Sequence, residues 1–419
     1  MVYLPDFIAN HITHRSSSLF SGDLAASEAV LRGEIAGKSA LVIGGAGTIG
    51  SSYIKALLRY EPAKLVVVDI SENGLTELTR DLRSSSGLKV PPVYKTYPVN
   101  FADRVFERIF ADEGPFDIVA NFAAHKHVRS EKDHHSIAAL LNNNVIQAMN
   151  LLDMLNMTHP PKHFFCVSTD KAANPVNIMG ASKKIMEEVI MAYSRDFKIT
   201  TARFANVAFS QGSLPDGFVQ RIMKRQPLSA PADVKRYFVS PEESGEICLL
   251  ACILGESGDI FFPRLDESQM MTFSEIANAF LRELGYEPHE CSSEEEAKSY
   301  QLRVTSDSHS SLSLSRPAGI TRHSPPWPVF YFTSDTSGEK SFEEFYVPGE
   351  EVDFASFAAL GVIRNAPRKP IEEVRMMVHE LEKLLQQPAV TKAQIVKVLA
   401  QLIPSFEHIE TGKGLDEKM

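Results

Sequence analysis

A short apolar run, Ala40 to Ile43, passes straight into a glycine turn, Gly44-Gly-Ala-Gly47-Thr48-Ile49-Gly50, and from there into a helix-forming stretch that starts near Ser51. Few local patterns restrict a fold so strongly. A buried strand that hands over to a helix within one turn needs a backbone free to bend, and each glycine answers a separate demand. Gly44 permits the tight turn, Gly47 lets the main chain approach a pyrophosphate, and Gly50 lets the helix pack closely against the strand. The helix N-terminus, with its unpaired N–H groups, then favours phosphate charge. A second β-branched run ends at Asp69, nineteen residues after Gly50, where a carboxylate accepts hydrogen bonds from an adenosine ribose. The same carboxylate repels a ribose 2′-phosphate, so the pattern predicts NAD rather than NADP.

The remainder of the chain repeats this rhythm. Short β-branched runs at Leu65 to Asp69, Val90 to Val99, Asp117 to Ala120, Phe164 to Ser168 and Thr200 to Phe204 alternate with helical patterns. Strands that alternate with helices imply crossover connections and a parallel sheet covered on both faces. After Asn206 the rhythm breaks, and Gly212 to Phe238 is richer in Pro, Arg and Gln. The expected fold class is α/β: a Rossmann doubly wound parallel sheet with a smaller substrate-binding lobe and a helical C-terminal extension. By this reading, residues 1–37 form an N-terminal extension of one or two packing helices. Residues 38–210 form the NAD-binding domain, with a return segment at 242–262; residues 211–241 and 263–347 form the substrate lobe, and 348–419 the C-terminal extension. Ser306 to Ser315 reads as a Ser-rich loop, and Lys369 to Leu385 and Thr391 to Leu402 as helices.

Composition narrows the function. With 419 residues, of which 44% are hydrophobic, the chain has material for more than one core. A net charge of −10 argues against a nucleic-acid surface, which depends on clustered Lys and Arg. Cys166, Cys248, Cys252 and Cys291 lack both metal-ligand spacing and the density of a disulfide scaffold, which fits a reduced cytoplasmic setting. The longest apolar segment, around Ile247 to Leu254, is too short to cross a bilayer, so a soluble protein without a membrane span is expected. His125 and His127, followed by His134 and His135, have no Cys or carboxylate at matched spacing, so no metal site is predicted.

The candidate chemistry lies where the fifth strand ends. Ser168-Thr169-Asp170-Lys171 follows that strand, and Met179-Gly-Ala-Ser-Lys183 opens the next helix. In an open parallel sheet, reactive groups collect at the carboxyl ends of strands. Lys183, four residues after Met179, lies one turn along the same helical face and is placed to reach a nicotinamide ribose. Asp170 and Lys171 are adjacent, and neighbouring side chains on a strand diverge, so the two act together only if the strand end is irregular. A solvated surface ion pair is the plain alternative.

Six blocks, GGAGTIGS, NFAAHKHV, VSTDKAANPVNIMGASK, ARFANVAFSQGS, KRYFVSP and SGEKSFEEFY, occur in this order between about residues 38 and 347. Together they resemble the extended short-chain dehydrogenase/reductases, and among these the nucleotide-sugar 4,6-dehydratases that act on UDP-N-acetylglucosamine in capsule and surface-glycan synthesis. The resemblance implies cofactor contacts from Gly44, Gly47, Thr48, Ile49, Gly50, Asp69, Asn100, Phe122, Ala123, Ala124 and Lys183. It implies substrate contacts from Lys126, Asn206, Arg236 and Glu339, with the planar fork of Arg236 suited to a diphosphate. In the implied mechanism NAD takes a hydride from sugar C4, Lys171 removes the C5 proton, Asp170 protonates the departing C6 hydroxyl, and the hydride returns to C6. Thr169 and Lys183 would relay the C4 hydroxyl proton. One position departs from the usual pattern: Met179 stands where most relatives carry Tyr, and a thioether has no proton to exchange. A subgroup of these dehydratases shares that Met. Thr336 also replaces the Arg that relatives place two residues before the glycine of the Gly-Glu-Lys element. Glu343 and Glu344 read as a solvated helix face. The resemblance further implies a homodimer. A nucleotide-sugar epimerase working through the same transient ketone, or a non-catalytic NAD-binding protein, are the alternative readings.

Overall fold

The computed structural model describes residues 2–300, 324–340 and 342–410; the Ser-rich stretch from Ser306 to Ser315 lies outside them. Six strands alternate with helices: β1 (Ser39–Ile43), β2 (Lys64–Asp69), β3 (Val93–Pro98), β4 (Ile118–Asn121), β5 (His163–Val167) and β6 (Ile199–Ala202). The helices that connect or precede them are α1 (Leu4–His11), α2 (Ser21–Ile35), α3 (Thr48–Leu58), α4 (Glu72–Ser84), α5 (Arg104–Glu113), α6 (His134–Leu141), α7 (Gln147–Met157) and α8 (Ile178–Tyr193). β4 and β5 are buried along their whole length, and Ala40 to Ile43 of β1 likewise. Their near-continuous apolar character is the mark of a sheet covered on both faces.

The later part of the chain contributes β7 (Asn206–Val207), α9 (Leu214–Met223), β8 (Leu228–Pro231), β9 (Lys235–Arg236), β10 (Phe238–Val239), α10 (Pro241–Leu254), β11 (Ile260–Pro263), β12 (Met271–Thr272), α11 (Phe273–Glu283), β13 (Glu287–Glu290), β14 (Pro326–Phe332), β15 (Val352–Asp353), β16 (Leu360–Ile363), α12 (Ile371–Leu385) and α13 (Lys392–Leu402). The main sheet runs in the order β15-β16-β11-β6-β5-β4-β1-β2-β3. From β11 to β3 it is parallel. The order reverses between β1 and β4, the switch point where this architecture opens its ligand crevice.

One region departs from the sequence expectation. The C-terminal extension is not wholly helical: β16 pairs antiparallel with β11, and β15 with β16, so residues 352–363 extend the main sheet. Parallel pairing would leave one edge of β11 with unpaired backbone groups, and this late hairpin covers it. The N-terminal extension, for its part, divides between two cores. Phe7, Ile8 and Ile12 of α1 and the turn after it pack with Phe218, Phe280 and Trp327 in the smaller lobe, whereas Leu31 and Ile35 of α2 join the main core. The smaller lobe is organised by the three-stranded sheet β13-β14-β8.

Candidate active site

At the switch point the glycine turn behaves as its residue types require. Gly44 has φ +74°, and a Cβ there would lie 2.5 Å from the backbone nitrogen of Ala123. A Cβ on Gly50 would collide with the Gly44 carbonyl, whereas one on Gly47 would have only that carbonyl nearby, at 3.6 Å. The turn therefore packs on its sheet side and stays open on the other. Gly47 caps α3 without a side-chain bond, so the first N–H groups of this helix face the opening. Asp69 is fixed by two backbone donors, Ala46 N at 3.0 Å and Ser71 N at 2.9 Å.

A cavity of about 280 Å³ lies over this turn. Gly44, Gly47, Thr48, Ile49, Gly50, Asp69, Asn100, Phe122, Ala123 and Ala124 all line it, and so does Lys126, which was expected at the substrate. Gln211, absent from the sequence expectation, joins the lining; its N–H donates to Thr48 Oγ1 at 3.0 Å, and its carbonyl accepts from Lys126 Nζ at 2.9 Å. A glycine turn with no room for a Cβ at Gly44 or Gly50, an open helix N-terminus and a carboxylate at the end of β2 together fit a dinucleotide.

The neighbouring strand ends carry the ionisable groups. β5 stops at Val167, and the chain turns at once into a single 3₁₀ turn, Asp170–Ala172, capped by Thr169. This is the irregular strand end that joint action demands. It brings Lys171 Nζ to 3.1 Å from Asp170 Oδ1, which also accepts from Thr169 Oγ1 at 2.8 Å and Lys171 N at 2.9 Å. Lys183 is buried and donates from Nζ to the Val167 carbonyl at 2.9 Å. Burial pushes its pKa down, against the pull of Cys166 and Glu187. Asn144 ties this helix to the cofactor crevice: its side-chain nitrogen donates to Ser182 Oγ and to the His125 carbonyl, while its oxygen accepts from His125 N. Met179 is buried in the main core, 3% exposed, and its N–H donates to Glu131 at 3.2 Å.

The smaller lobe closes the site from the other side. Arg236, on β9, is buried; its guanidinium donates to the carbonyls of Lys235 and Lys340 and lies 3.4 Å from Glu339. Asn206 lies opposite Phe238 in the β7–β10 pair, its N–H bonded to the Tyr237 carbonyl. The residue that sequence reasoning misplaced is Glu343. It is 5% exposed rather than solvated, and it stands 3.4 Å from Lys171 and 3.9 Å from Arg236. Burial, with Asp170's charge adding to it, pushes the Glu343 carboxyl up despite Lys171 and Arg236. Burial alone would lower Lys171, but Asp170 and Glu343 outweigh it and leave its pKa raised. Among the described residues no group of three or more His, Cys, Asp or Glu side chains is arranged to hold a metal ion, and no helix is long and apolar enough to cross a membrane.

The doubly wound sheet, its glycine cradle and its switch-point crevice define a Rossmann-type dinucleotide-binding fold. The family described as "Polysaccharide biosynthesis protein" matches residues 40–306, and the chain belongs to it. Among curated relatives, the capsular polysaccharide biosynthesis protein CapD of Staphylococcus aureus is 29% identical over 61% of this chain and 42% of its own, so this chain spans less than half of that protein. A UDP-N-acetylglucosamine 4,6-dehydratase (inverting) of Campylobacter jejuni is 26% identical over 59% of this chain and 72% of its own. Among solved structures, Pen from Bacillus thuringiensis shares the fold with a TM-score of 0.59 and 18% identity, covering 84% of this chain and 99% of that one.

Proposed function

We propose that the protein is an NAD-dependent 4,6-dehydratase of a nucleotide-activated N-acetylhexosamine, with UDP-N-acetylglucosamine as its substrate, working in surface polysaccharide synthesis. The single observation that carries this reading is the 3₁₀ turn after β5, which sets a carboxylate and an amine of adjacent residues 3.1 Å apart in a buried position facing Arg236 and Glu343. An alcohol dehydrogenase or simple epimerase needs one acid/base group at the C4 hydroxyl. A dehydratase needs two more, for C5 and C6. The dehydratase and polysaccharide-synthesis relatives point the same way.

In this reading the glycine cradle and the N-terminus of α3 hold the pyrophosphate, Asp69 holds the adenosine ribose, and Lys183 leaves the Val167 carbonyl for the nicotinamide ribose. NAD supplies a hydride acceptor at C4 and a hydride donor at C6. Lys171 removes the C5 proton, which a neighbouring ketone acidifies, and Asp170 protonates the departing C6 hydroxyl. Thr169 orients Asp170 through its 2.8 Å bond and relays the C4 hydroxyl proton. Arg236 takes the diphosphate and Glu339 the nucleotide ribose, a carboxylate the guanidinium meets at 3.4 Å. Met179 offers no proton, so its role is packing.

The test is to incubate the purified protein with NAD and UDP-N-acetylglucosamine and follow the mass of the sugar nucleotide. Loss of one water supports the proposal; isomerisation without mass change makes the protein an epimerase. No conversion of UDP, GDP or CDP sugars removes the reading.

A further inference from the structure

Lys171 lies beside Asp170 and 3.4 Å from the Glu343 carboxylate, and a lysine paired with a buried carboxylate is an ammonium ion, which cannot take a proton from carbon. The dehydratase reading therefore needs somewhere for that proton to go. Asp170 is a poor recipient while it serves as the acid at C6, and its Oδ1 already accepts three donors. Glu343 differs on every count. Its carboxylate is buried and 3.4 Å from Lys171 Nζ, and among the described residues it accepts no hydrogen bond. It meets its two cations only as ion pairs, the second being Arg236 at 3.9 Å. A buried carboxylate that accepts no hydrogen bond is more easily protonated, because its ion pairs only partly offset the lost solvation of its charge; the upward pKa shift, which burial imposes against both cations, agrees.

We propose that Glu343 is the proton-holding partner of Lys171, accepting the ammonium proton before C5 is attacked and returning it when the cycle closes. The inference rests on the dehydratase reading, and its protons balance. Lys171 passes one proton to Glu343 and becomes a neutral amine. The amine takes the C5 proton while the C6–O bond breaks, the C5–C6 double bond forms and Asp170 protonates the departing hydroxide to water. As the hydride returns to C6, Lys171 gives its proton back to C5; the proton released from the C4 hydroxyl, relayed through Thr169 across 2.8 Å, restores Asp170, and Glu343 returns its proton to Lys171. All three groups are then as they began. Glu343 acts through Lys171, 3.4 Å away, so it is a positioning residue that also stores a proton.

The experiment compares Glu343→Gln and Glu343→Asp with the parent enzyme for water loss from UDP-N-acetylglucosamine between pH 6 and 9, as a range of about three units. The amide keeps the shape but accepts no proton from an ammonium. The expected result is a fall of about 10² to 10³ in Glu343→Gln, with a residual rate that climbs with pH as Lys171 loses its proton to solvent instead. Glu343→Asp should recover most of the loss. A Glu343→Gln rate and pH profile that match the parent overturn the proposal while leaving the dehydratase reading intact. Should the parent itself eliminate no water, that reading falls, and the pairing is judged by acylating lysines at graded pH and reading Lys171 by mass spectrometry. A labelling midpoint that moves to lower pH in Glu343→Gln supports the coupling; an unmoved one refutes it.

Discussion

The segment from Gly338 to Glu350 supplies carboxylates to two buried charge clusters, and they are built to opposite standards. In the first, the fully buried Arg203 donates to both oxygens of Glu187 at 3.0 and 2.9 Å, to both oxygens of Glu350 at 2.9 Å, and to the Phe345 carbonyl at 2.9 Å. In the second, Asp170 accepts three donors and Arg236 donates to two carbonyls and to Glu339, but Glu343 meets Lys171 and Arg236 only as ion pairs at 3.4 and 3.9 Å. Bidentate guanidinium pairs fix geometry and leave no proton free to move. A carboxylate held at similar burial by ion pairs alone, as Glu343 is, retains that freedom, which is what an acid/base site requires. Saturation thus separates a structural clamp from a reactive centre where burial alone does not.

The largest expected effect breaks the reactive cluster. Lys171→Ala should lower turnover by about 10² to 10⁴, the range for loss of a positioned base, while NAD binding by calorimetry stays close to the parent. Unchanged turnover would remove Lys171 from the chemistry.

Next in size is the clamp. Arg203→Met leaves Glu187 and Glu350 buried without their cation, a change that costs about 3 to 5 kcal/mol, read as a lower urea midpoint. The pH dependence sharpens the contrast. Burial would raise Glu187, but Arg203, helped by Lys184 and Ser168, pulls its pKa down to about 2. Its folded value lies below its unfolded one, so its contribution is full above about pH 4.3 and is lost as pH falls toward the folded value. In Arg203→Met only Lys184 and Ser168 remain to oppose burial, so the stability gap between variant and parent should narrow on acidification. A gap that stays constant from pH 6 to about pH 3 would contradict the assignment.

The two clusters also show what a sequence discloses. The glycine cradle, Asp69 and the strand-end groups were legible because each depends on a local pattern: a turn, a strand terminus or a helical spacing. Asp170 and Lys171 were expected to need an irregular strand end, and the 3₁₀ turn provides it. Glu343 was not legible. It sits in Ser-Phe-Glu-Glu-Phe, which reads as a solvated face, and its burial follows from the docking of residues 345 to 350 onto Arg203, more than a hundred residues earlier. The same holds for β15 and β16, which are too short to announce themselves and become strands because β11 offers an unpaired edge. Gln211 carried no motif signal; its place over the crevice depends on the path the chain takes into the smaller lobe.

The smallest expected effect joins the two clusters. Glu350→Gln keeps one oxygen to accept from Arg203 and leaves the bidentate Glu187 pair intact, so the stability cost should be about 1 kcal/mol, the scale of one net hydrogen bond. The loss falls on the tether, because Glu350 also accepts from Val347 N at 2.9 Å and thereby holds the turn that follows Glu343. If the clamp positions the reactive carboxylate, turnover should drop several-fold, beyond what the small stability loss explains, and the pH profile should shift in the same direction as in Glu343→Gln. A variant that loses stability while keeping the parental rate and profile would show that the two clusters share a segment and nothing more.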